Sequence, residues 1–401
     1  MKHFLKKILP GSGGDSWVII ETRQSCLRVI FAEVQPKTKR LIIQKQLEVD
    51  LEDPSLDAYR ATVSDVFKKI SPISPAKVAV ILDHSQAVEL SGNISLMRSD
   101  CNSEITRSEF DDLVSRGIWK LLMQQRVAAA KQLLEQEIDI RLIDADIIQV
   151  LLDGHRVVNP IGFTARTIEF TCSQTFISKA LFNFFSSLLT DDNLALVVEG
   201  AALLTSSIKG EMAGGDFLFA SIGSKRTVLY EVEGVAVRYL DSFELGRDSL
   251  FNSLTAEVGV DSYVASQILN KYKEKDLSNT MKRLVERAIS GELAMLSNGI
   301  AAHQKNKNIP VYVHAEESLP SCLFVKEFIR RLGLSLKLTE VNEEFVGKRS
   351  GFGVQFKHSR ISSALSGYEI VIATLANWYD GETAQLRKTA SQRARWIQSG
   401  Q

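Results

Sequence analysis

The stretch that most constrains the fold is residues 217–254, FLFASIGSKRTVLYEVEGVAVRYLDSFELGRDSLFNSL. Apolar β-formers sit between Gly-containing breaks, and from Arg247 to Leu254 the spacing turns helical. The stretch therefore reads as strand, tight turn, strand, hairpin at Glu233-Gly234, strand and helix. The same order occurs once before. Residues 17–20, 27–34 and 41–49 are three short strand candidates, followed by an amphipathic helix over 57–70 and a strand over 77–82. Two strand-strand-strand-helix units point to an internal duplication and a two-lobed α/β fold. In such a fold the strand-joining turns face each other across a cleft, where backbone N–H groups can hold phosphates.

At 401 residues the chain is long enough for two or more cores, and 45% apolar with 24% charged residues is ordinary globular composition. The formal net charge is zero, so nothing in the balance argues for a nucleic-acid partner. The cysteines Cys26, Cys101, Cys172 and Cys322 are far apart and lack metal-ligand spacing, so reduced, mostly buried thiols and no metal are expected. No apolar run is long enough to span a bilayer, and the first ten residues lack the h-region of a signal peptide. A protein on the cytoplasmic side is the expectation.

Met1, Phe4, Leu5, Ile8 and Leu9 share one helical face, with Lys2, His3, Lys6 and Lys7 on the other and a Pro10-Gly-Ser-Gly-Gly14 break behind them. This is a short basic amphipathic helix on a tether, suited either to membrane or partner contact or to docking on the protein's own surface. Residues 76–178 form an additional α/β block, which must be an insertion if the duplicated lobes are to close. Its helix opens with a Thr106–Glu109 capping box and carries an apolar stripe of Phe110, Leu113, Val114, Ile118, Leu121 and Leu122. Strands over 145–152 and 165–172 follow, separated by Asp153-Gly154 and Asn159-Pro-Ile-Gly162, and residues 176–189 read as a helix buried between layers. Residues 259–302 are helical, with a solvated charged face. Strands over 311–313 and 335–338 flank a helix over 319–332, and residues 386–401 read as a basic extended tail or marginal helix.

These segments resemble the actin-like bacterial proteins of the FtsA type and their PilM-type relatives of type IV pili. Glu21-Thr-Arg-Gln-Ser25 stands where the family has a first phosphate loop, Asp-Ile-Gly-Thr-Ser. Ser221-Ile-Gly-Ser-Lys-Arg226 stands at the second, Asp-Ile-Gly-Gly-Gly-Thr. Phe243-Glu-Leu-Gly-Arg-Asp248 is similar to the Ile-Pro-Leu-Gly-Gly-Asp run that follows. Asp153-Gly154 with Asn159-Pro-Ile-Gly162 is similar to the signature of the family's inserted SHS2 subdomain. The resemblance implies an actin-like fold of duplicated RNase H-like βββα lobes. The expected divisions are 1–16, basic segment and linker; 17–75, first part of lobe 1; and 76–178, SHS2-type insertion. Residues 179–212 complete lobe 1 with crossover helices, and 213–258 and 304–345 form the core of lobe 2. Residues 259–303 are its helical subdomain, 346–380 a return helix to lobe 1, and 381–401 the basic tail.

The departures from the family pattern are grouped at the nucleotide contacts. Nucleotide-binding relatives use glycine turns for close backbone approach to phosphate, and carboxylates near magnesium and the attacking water. Here Glu21 replaces Asp and Arg23 replaces Gly in the first turn. In the second, Ser221 replaces Asp, and Gly223 is followed by Ser224, Lys225 and Arg226. The third, normally Gly-Gly-Gly, reads His314-Ala-Glu-Glu-Ser-Leu-Pro320, so Ala315 and Glu316 stand at the adenosine contact. Two readings follow. Either Arg23, Lys225 and Arg226 cradle an anion such as ATP by charge, or side chains fill the site and the chain is a pseudo-ATPase without cofactor. The second is the reading adopted. The resemblance then implies a non-catalytic scaffold peripheral to the inner membrane. An FtsA-like role in division, bound to an FtsZ-like filament, is favoured over a PilM-like role bound to a short cytoplasmic peptide of a membrane protein; self-association is a further option. Lys2, Phe4, Leu5, Lys6, Lys7, Ile8 and Leu9 are the expected membrane contacts.

Overall fold

The computed structural model describes residues 14–23, 26–50, 61–62, 64–65, 77–188, 194–209, 215–234, 236–303, 309–315, 338–357, 367–379 and 384–399. The chain divides into two compact units. One comprises Met1–Ser207, Ser350–Leu365 and Ile370–Gln401; the other comprises Ile208–Arg349 and Ser366–Glu369.

The first unit is built on a six-stranded sheet. Strands β1 (Asp15–Thr22), β2 (Cys26–Gln35) and β3 (Arg40–Asp50) form an antiparallel meander, and β4 (Lys77–Leu82) lies parallel to β1 on its other side. Strand β9 (Leu194–Glu199) continues the sheet beside β4, and β15 (Gly353–Phe356) joins parallel to β3, giving the order β15-β3-β2-β1-β4-β9. The second unit repeats the scheme. Strands β10 (Phe217–Ile222), β11 (Thr227–Glu233) and β12 (Ala236–Phe243) form the meander, β13 (Val311–Ala315) is parallel to β10, and β14 (Leu338–Glu340) follows, in the order β12-β11-β10-β13-β14. The central strands β1 and β10 are largely buried, and their runs 17–20 and 217–220 are apolar on both faces, as expected of strands covered on both sides. The duplication expected from residues 17–82 and 217–254 is thus present as two sheets of matching order.

The helices of the second unit fill one face of its sheet. α4 (Arg247–Val258), α5 (Ser262–Lys273), α6 (Asn279–Ala288) and α7 (Ser290–His303) contribute Leu250, Leu254, Leu269, Val285, Leu296 and Ile300 to a core shared with Leu218, Leu229 and Val313. Asp261 and Ser278 cap α5 and α6 by accepting from Val264 and Met281 N–H.

The first unit also carries a four-stranded antiparallel sheet, order β5-β8-β6-β7, made of β5 (Ala87–Met97), β6 (Ile140–Leu152), β7 (His155–Val157) and β8 (Thr167–Ser178). The long helix α1 (Arg107–Leu133) lies on it, so the chain order is strand, helix, strand, strand, strand. The Thr106 hydroxyl accepts from Glu109 N–H, and the Glu109 carboxylate accepts in return from Thr106 N–H, completing the capping box. Asp153 and Gly154 join β6 to β7 with positive φ at both residues, the two-residue hairpin turn that Asp-Gly favours. The four-stranded sheet starts at Ala87, because residues 77–82, expected inside the insertion, pair with β1 in the larger sheet.

Two further expectations are corrected. Residues 176–178 complete β8, and the helix α2 begins at Lys179 (Lys179–Leu188), where Leu181 and Phe185 pack under the six-stranded sheet. The basic segment expected as an extended tail or marginal helix is a docked helix, α10 (Ala384–Ser399). Its Leu386, Ala390, Ala394 and Ile397 are buried in the core of the four-stranded sheet with α1. Small residues at this seam let the helix lie close, and polar partners fix it: Arg387 donates to Asp146 (3.0 Å), Arg107 to Thr389 (3.0 Å), and Arg395 to the carbonyl of Leu194 (2.7 Å). The expected helices over 57–70 and 319–332 lie largely or wholly outside the described residues. Where a return helix was expected, α8 (Glu343–Ser350) precedes β15, and α9 (Glu369–Trp378) comes after it.

Candidate functional site

At the end of β1 the Glu21 side chain is 2% exposed and points at Arg28 on β2, itself 1% exposed, because Glu21 and Arg28 are antiparallel neighbours. Arg28 Nε donates to Glu21 Oε2 (2.7 Å), with a second bond from the other guanidinium arm, and Arg23 Nε donates to Glu21 Oε1 (3.0 Å). Burial pushes the Glu21 carboxyl up, but the charges of Arg23 and Arg28 and their hydrogen bonds outweigh it, leaving the pKa below the ordinary carboxylate value. Both oxygens of Glu21 thus accept from guanidinium groups. Arg23 folds back over the first turn, and its backbone N–H closes that turn on the Cys26 carbonyl (2.9 Å). The Cys26 thiol is buried beside this group and pushed up to about 12, and Cys172 is likewise pushed far up by burial, so both are inert thiols.

The second turn is closed differently. Gly223 N–H donates to the Arg226 carbonyl (2.9 Å), forming the tight link between β10 and β11. The carbonyls of Gly223 and Ser224 point at the start of α4, accepting from Arg247 N–H (2.9 Å) and Asp248 N–H (2.7 Å). The first amides of that helix, which would otherwise favour an anion, are occupied by the turn's own backbone. The approach requires Gly246. A Cβ there would sit 2.5 Å from the Gly223 carbonyl oxygen and 2.6 Å from that of Ser224, well inside contact distance. Lys225 is exposed, and Arg226 lies 3.6 Å from Glu244.

Under this turn is a buried relay. Ser221 on β10 and His314 on β13 are Cα partners, and Ser221 Oγ lies 3.0 Å from His314 Nδ1. His314 Nε2 lies 2.9 Å from Oε1 of Glu369, the first residue of α9. All three are buried. With Glu369 ionised, the ring proton sits on Nε2 and Nδ1 accepts from the Ser221 hydroxyl. The order of groups is that of a hydrolytic triad. Its serine, however, lies inside a strand paired on both sides rather than on an exposed turn, and its oxygen is already engaged. The relay joins residues far apart in sequence; its only trace there is polar side chains in otherwise apolar segments.

A third helix start is also closed from within: Glu199, at the end of β9, accepts from Ala201 N–H (3.0 Å) and Ala202 N–H (2.6 Å) of α3 (Gly200–Lys209). Of the residues expected at nucleotide contacts, Glu21 and Arg23 are brought together, as are Ser221, Gly223 and Ser224. Ala315 ends β13, and Ser25 and Glu316 lie outside the described residues. Lys2, Phe4, Leu5, Lys6, Lys7, Ile8 and Leu9 also lie outside them. Among the described residues no helix is long and apolar enough to cross a membrane.

No protein-family model matches the sequence, and no curated protein does. Among solved structures the chain is similar to the PilM-PilN type IV pilus biogenesis complex, with 14% identity, 94% of this chain and 98% of that one covered, and a TM-score of 0.51. It is also similar to ethanolamine utilization protein EutJ from Carboxydothermus hydrogenoformans, with 10% identity, 82% and 86% covered and a TM-score of 0.41. A protein with actin-like ATPase fold and unknown function from Bacteroides thetaiotaomicron is similar at 11% identity, 81% and 90% covered and a TM-score of 0.40. At these identities the likeness concerns the fold. The fold is actin-like, two sheets of matching strand order with a strand-helix-strand-strand-strand insertion in the first unit.

Proposed function

We propose that this chain is a non-catalytic actin-like scaffold that works at the cytoplasmic face of a membrane and holds a short cytoplasmic segment of a membrane partner, as a PilM-like protein would. The observation that carries this reading is the closure of the turns by the protein's own groups. Glu21 is held by two arginines and has no free oxygen for magnesium. The first amides of α4 and of α3 accept no phosphate while they donate to Gly223, Ser224 and Glu199. These closures support the reading that no magnesium nucleotide is held at these turns, and no step of ATP hydrolysis is assigned to them.

With chemistry set aside, function falls to surfaces. The similarity in fold to the PilM-PilN complex supports a partner of the PilN kind, a membrane protein contacted by the scaffold. The division reading, an FtsA-like adaptor for an FtsZ-like filament, keeps one specific support: the Asp153-Gly154 and Asn159–Gly162 signature. In the structure these residues are a hairpin turn and a loop pinned by Gly162 N–H on the Ile105 carbonyl (3.0 Å).

Three measurements test the proposal. Calorimetry with ATP and magnesium is expected to give no heat beyond dilution; micromolar, magnesium-dependent binding would overturn the non-catalytic reading. Copurification from native membranes is expected to bring down an inner-membrane protein with a short cytoplasmic segment, whereas recovery of an FtsZ-like protein instead would favour the division role. Replacing Phe4 and Leu5 by Glu is expected to reduce flotation with anionic liposomes, and unchanged flotation would remove the amino-terminal segment from the account.

A further inference from the structure

Strand β9 is the outer strand of the six-stranded sheet, and side chains of the inserted sheet and of α10 cover its edge. The Val197 N–H donates to Asp144 Oδ2 on β6 (3.0 Å), while the carbonyls of Leu194 and Ala195 accept from Arg395 on α10 (2.7 and 3.2 Å). The chain enters the four-stranded sheet at Ala87, which pairs with Ile177 near the end of β8, where it leaves. Two adjacent strand ends make a narrow pivot, and the bonds to β9 restrain the inserted sheet about it.

The face turned to this joint is acidic. Cross-strand pairing puts Glu89 of β5, Thr175 of β8 and Asp144 of β6 in one row, with Ser91, Ser173 and Asp146 in the next. Glu199 ends β9, and α1 lies on the other face of the sheet, against Val88 and Leu90. Arg387 Nε donates to Asp146 Oδ2 (3.0 Å) and its other nitrogens to Asn377. Burial pushes the Asp144 carboxyl up against the charge of Arg395 and bonds from Ser391, Val197 and Ala145, and Glu199 is taken up by Ala201 and Ala202 N–H. The Cys172 thiol is kept neutral by burial and by Asp146, Glu89 and Asp144.

Glu89 has no such base. It accepts from the Ser173 hydroxyl, and burial with the charges of Glu199, Asp146 and Asp144 pushes it up to about 8. Part of the residue still reaches solvent, which gives its proton a way in and out. The closed joint is also incompletely satisfied, since Asp146 Oδ1 and Arg395 Nε are buried without a hydrogen-bond partner. Water would satisfy both on opening.

We propose that the joint between the inserted sheet and β9 is a proton-held latch, shut while Glu89 is protonated and released from β9 when Glu89 ionises. Ionised, Glu89 sets a further carboxylate against Asp144, Asp146 and Glu199, with Arg387 and Arg395 already engaged. Opening gives each of these groups water. The open state, with an ordinary carboxyl at Glu89, binds this proton less well than the closed state, so raising the pH favours opening until the closed state too has lost it.

Hydrogen exchange of the full chain, followed by mass spectrometry from about pH 5 to pH 9 and corrected for the intrinsic pH dependence of exchange, tests this. In peptides over residues 87–92 and 194–199 the opening equilibrium is expected to rise about tenfold per pH unit up to about pH 8 and then to level off. Protection there is expected to stay below that of the most protected strands, because the latch opens without unfolding the chain. Glu89→Gln, folded by circular dichroism, is expected to remove the rise. A flat wild-type profile would overturn the latch, whatever the variant does. A rise shared equally by every protected strand would also overturn it, leaving Glu89 to act on overall stability alone. A rise that survives in Glu89→Gln would do the same, since another group would then carry the proton.

Discussion

The turn after β1 and the turn after β10 occupy matching places in two sheets of matching order, and they are closed by opposite chemistries. The first is closed by charge: a buried carboxylate between two guanidinium groups. The second is closed by backbone, two carbonyls turned onto a helix start, above a buried serine–histidine–glutamate relay. A buried ion group is costly to desolvate, so it holds only while complete. A backbone contact limited by one missing Cβ is insensitive to charge and sensitive to volume. The same architectural position has therefore been filled in two ways that fail under different perturbations.

The largest effect should come from breaking the charged closure by halves. Arg28→Met leaves Glu21 buried with Arg23 alone, and urea denaturation is expected to show a loss of about 3–5 kcal/mol. Adding Glu21→Gln should recover most of it; failure to recover would mean that Arg28 acts through packing rather than charge. Because the Glu21 pKa is lowered on folding, its contribution is present above the unfolded carboxylate pKa and is lost as pH falls through the folded value. Next is Gly246→Ala in the second turn, whose new Cβ would meet two backbone carbonyl oxygens already engaged by Arg247 and Asp248 N–H. A loss of about 2–3 kcal/mol, equal at pH 5 and pH 8, is expected, and a marked pH dependence would contradict a purely steric closure.

Glu89 probes the first chemistry from the opposite side, as a carboxyl with acids for neighbours. Burial first, then the charges of Glu199 and Asp146, push it up to about 8. The folded state therefore holds a proton that the unfolded state releases, so stability falls as pH rises from about 4.5 to about 8. Glu89→Gln is expected to flatten that decline and to stabilise the protein at pH 8 by on the order of 2 kcal/mol, read from melts across the range. The smallest effect is expected from Ser221→Ala. It leaves His314 Nδ1 without its hydroxyl donor and should cost about 1 kcal/mol by the same denaturation measurement. A loss as large as that of Arg28→Met would show that the second turn is also all-or-none.

The contrast also explains what the sequence made legible. Strands β10 to β12 were readable because glycines punctuate apolar runs, and α1 because Thr106 and Glu109 declare its start. The substitutions Glu21, Arg23 and Ser221 were visible as departures, but their partners were not: Arg28 reads as one polar residue in a strand, and His314 and Glu369 come together only through β-pairing and chain return. Strands β9 and β15 were missed because a short parallel strand has no local partner or turn to mark it. Helix α10 reads from the sequence as an extended tail or a marginal helix because its buried seam uses Ala390 and Ala394 and depends on Arg387 and Arg395, which look like surface residues until Asp146 and the Leu194 carbonyl are seen beneath them.

The docking of α10 has a consequence for the order of folding events. The four-stranded sheet and α1 are encoded within Ala87–Ser178, a span local enough to collapse early, yet part of their core is supplied by residues 386–397. Arg387 and Asp146 are separated by 241 positions, so during synthesis the subdomain must wait with an open apolar seam while both sheets are being made. Loop-closure entropy makes that contact slow to form, and a half-built core is the species most exposed to aggregation. Refolding should therefore show a fast phase reporting on the Phe110–Phe170 region and a slower one reporting on the docking of α10, and omitting residues 384–401 should abolish the slow phase and lower the soluble yield.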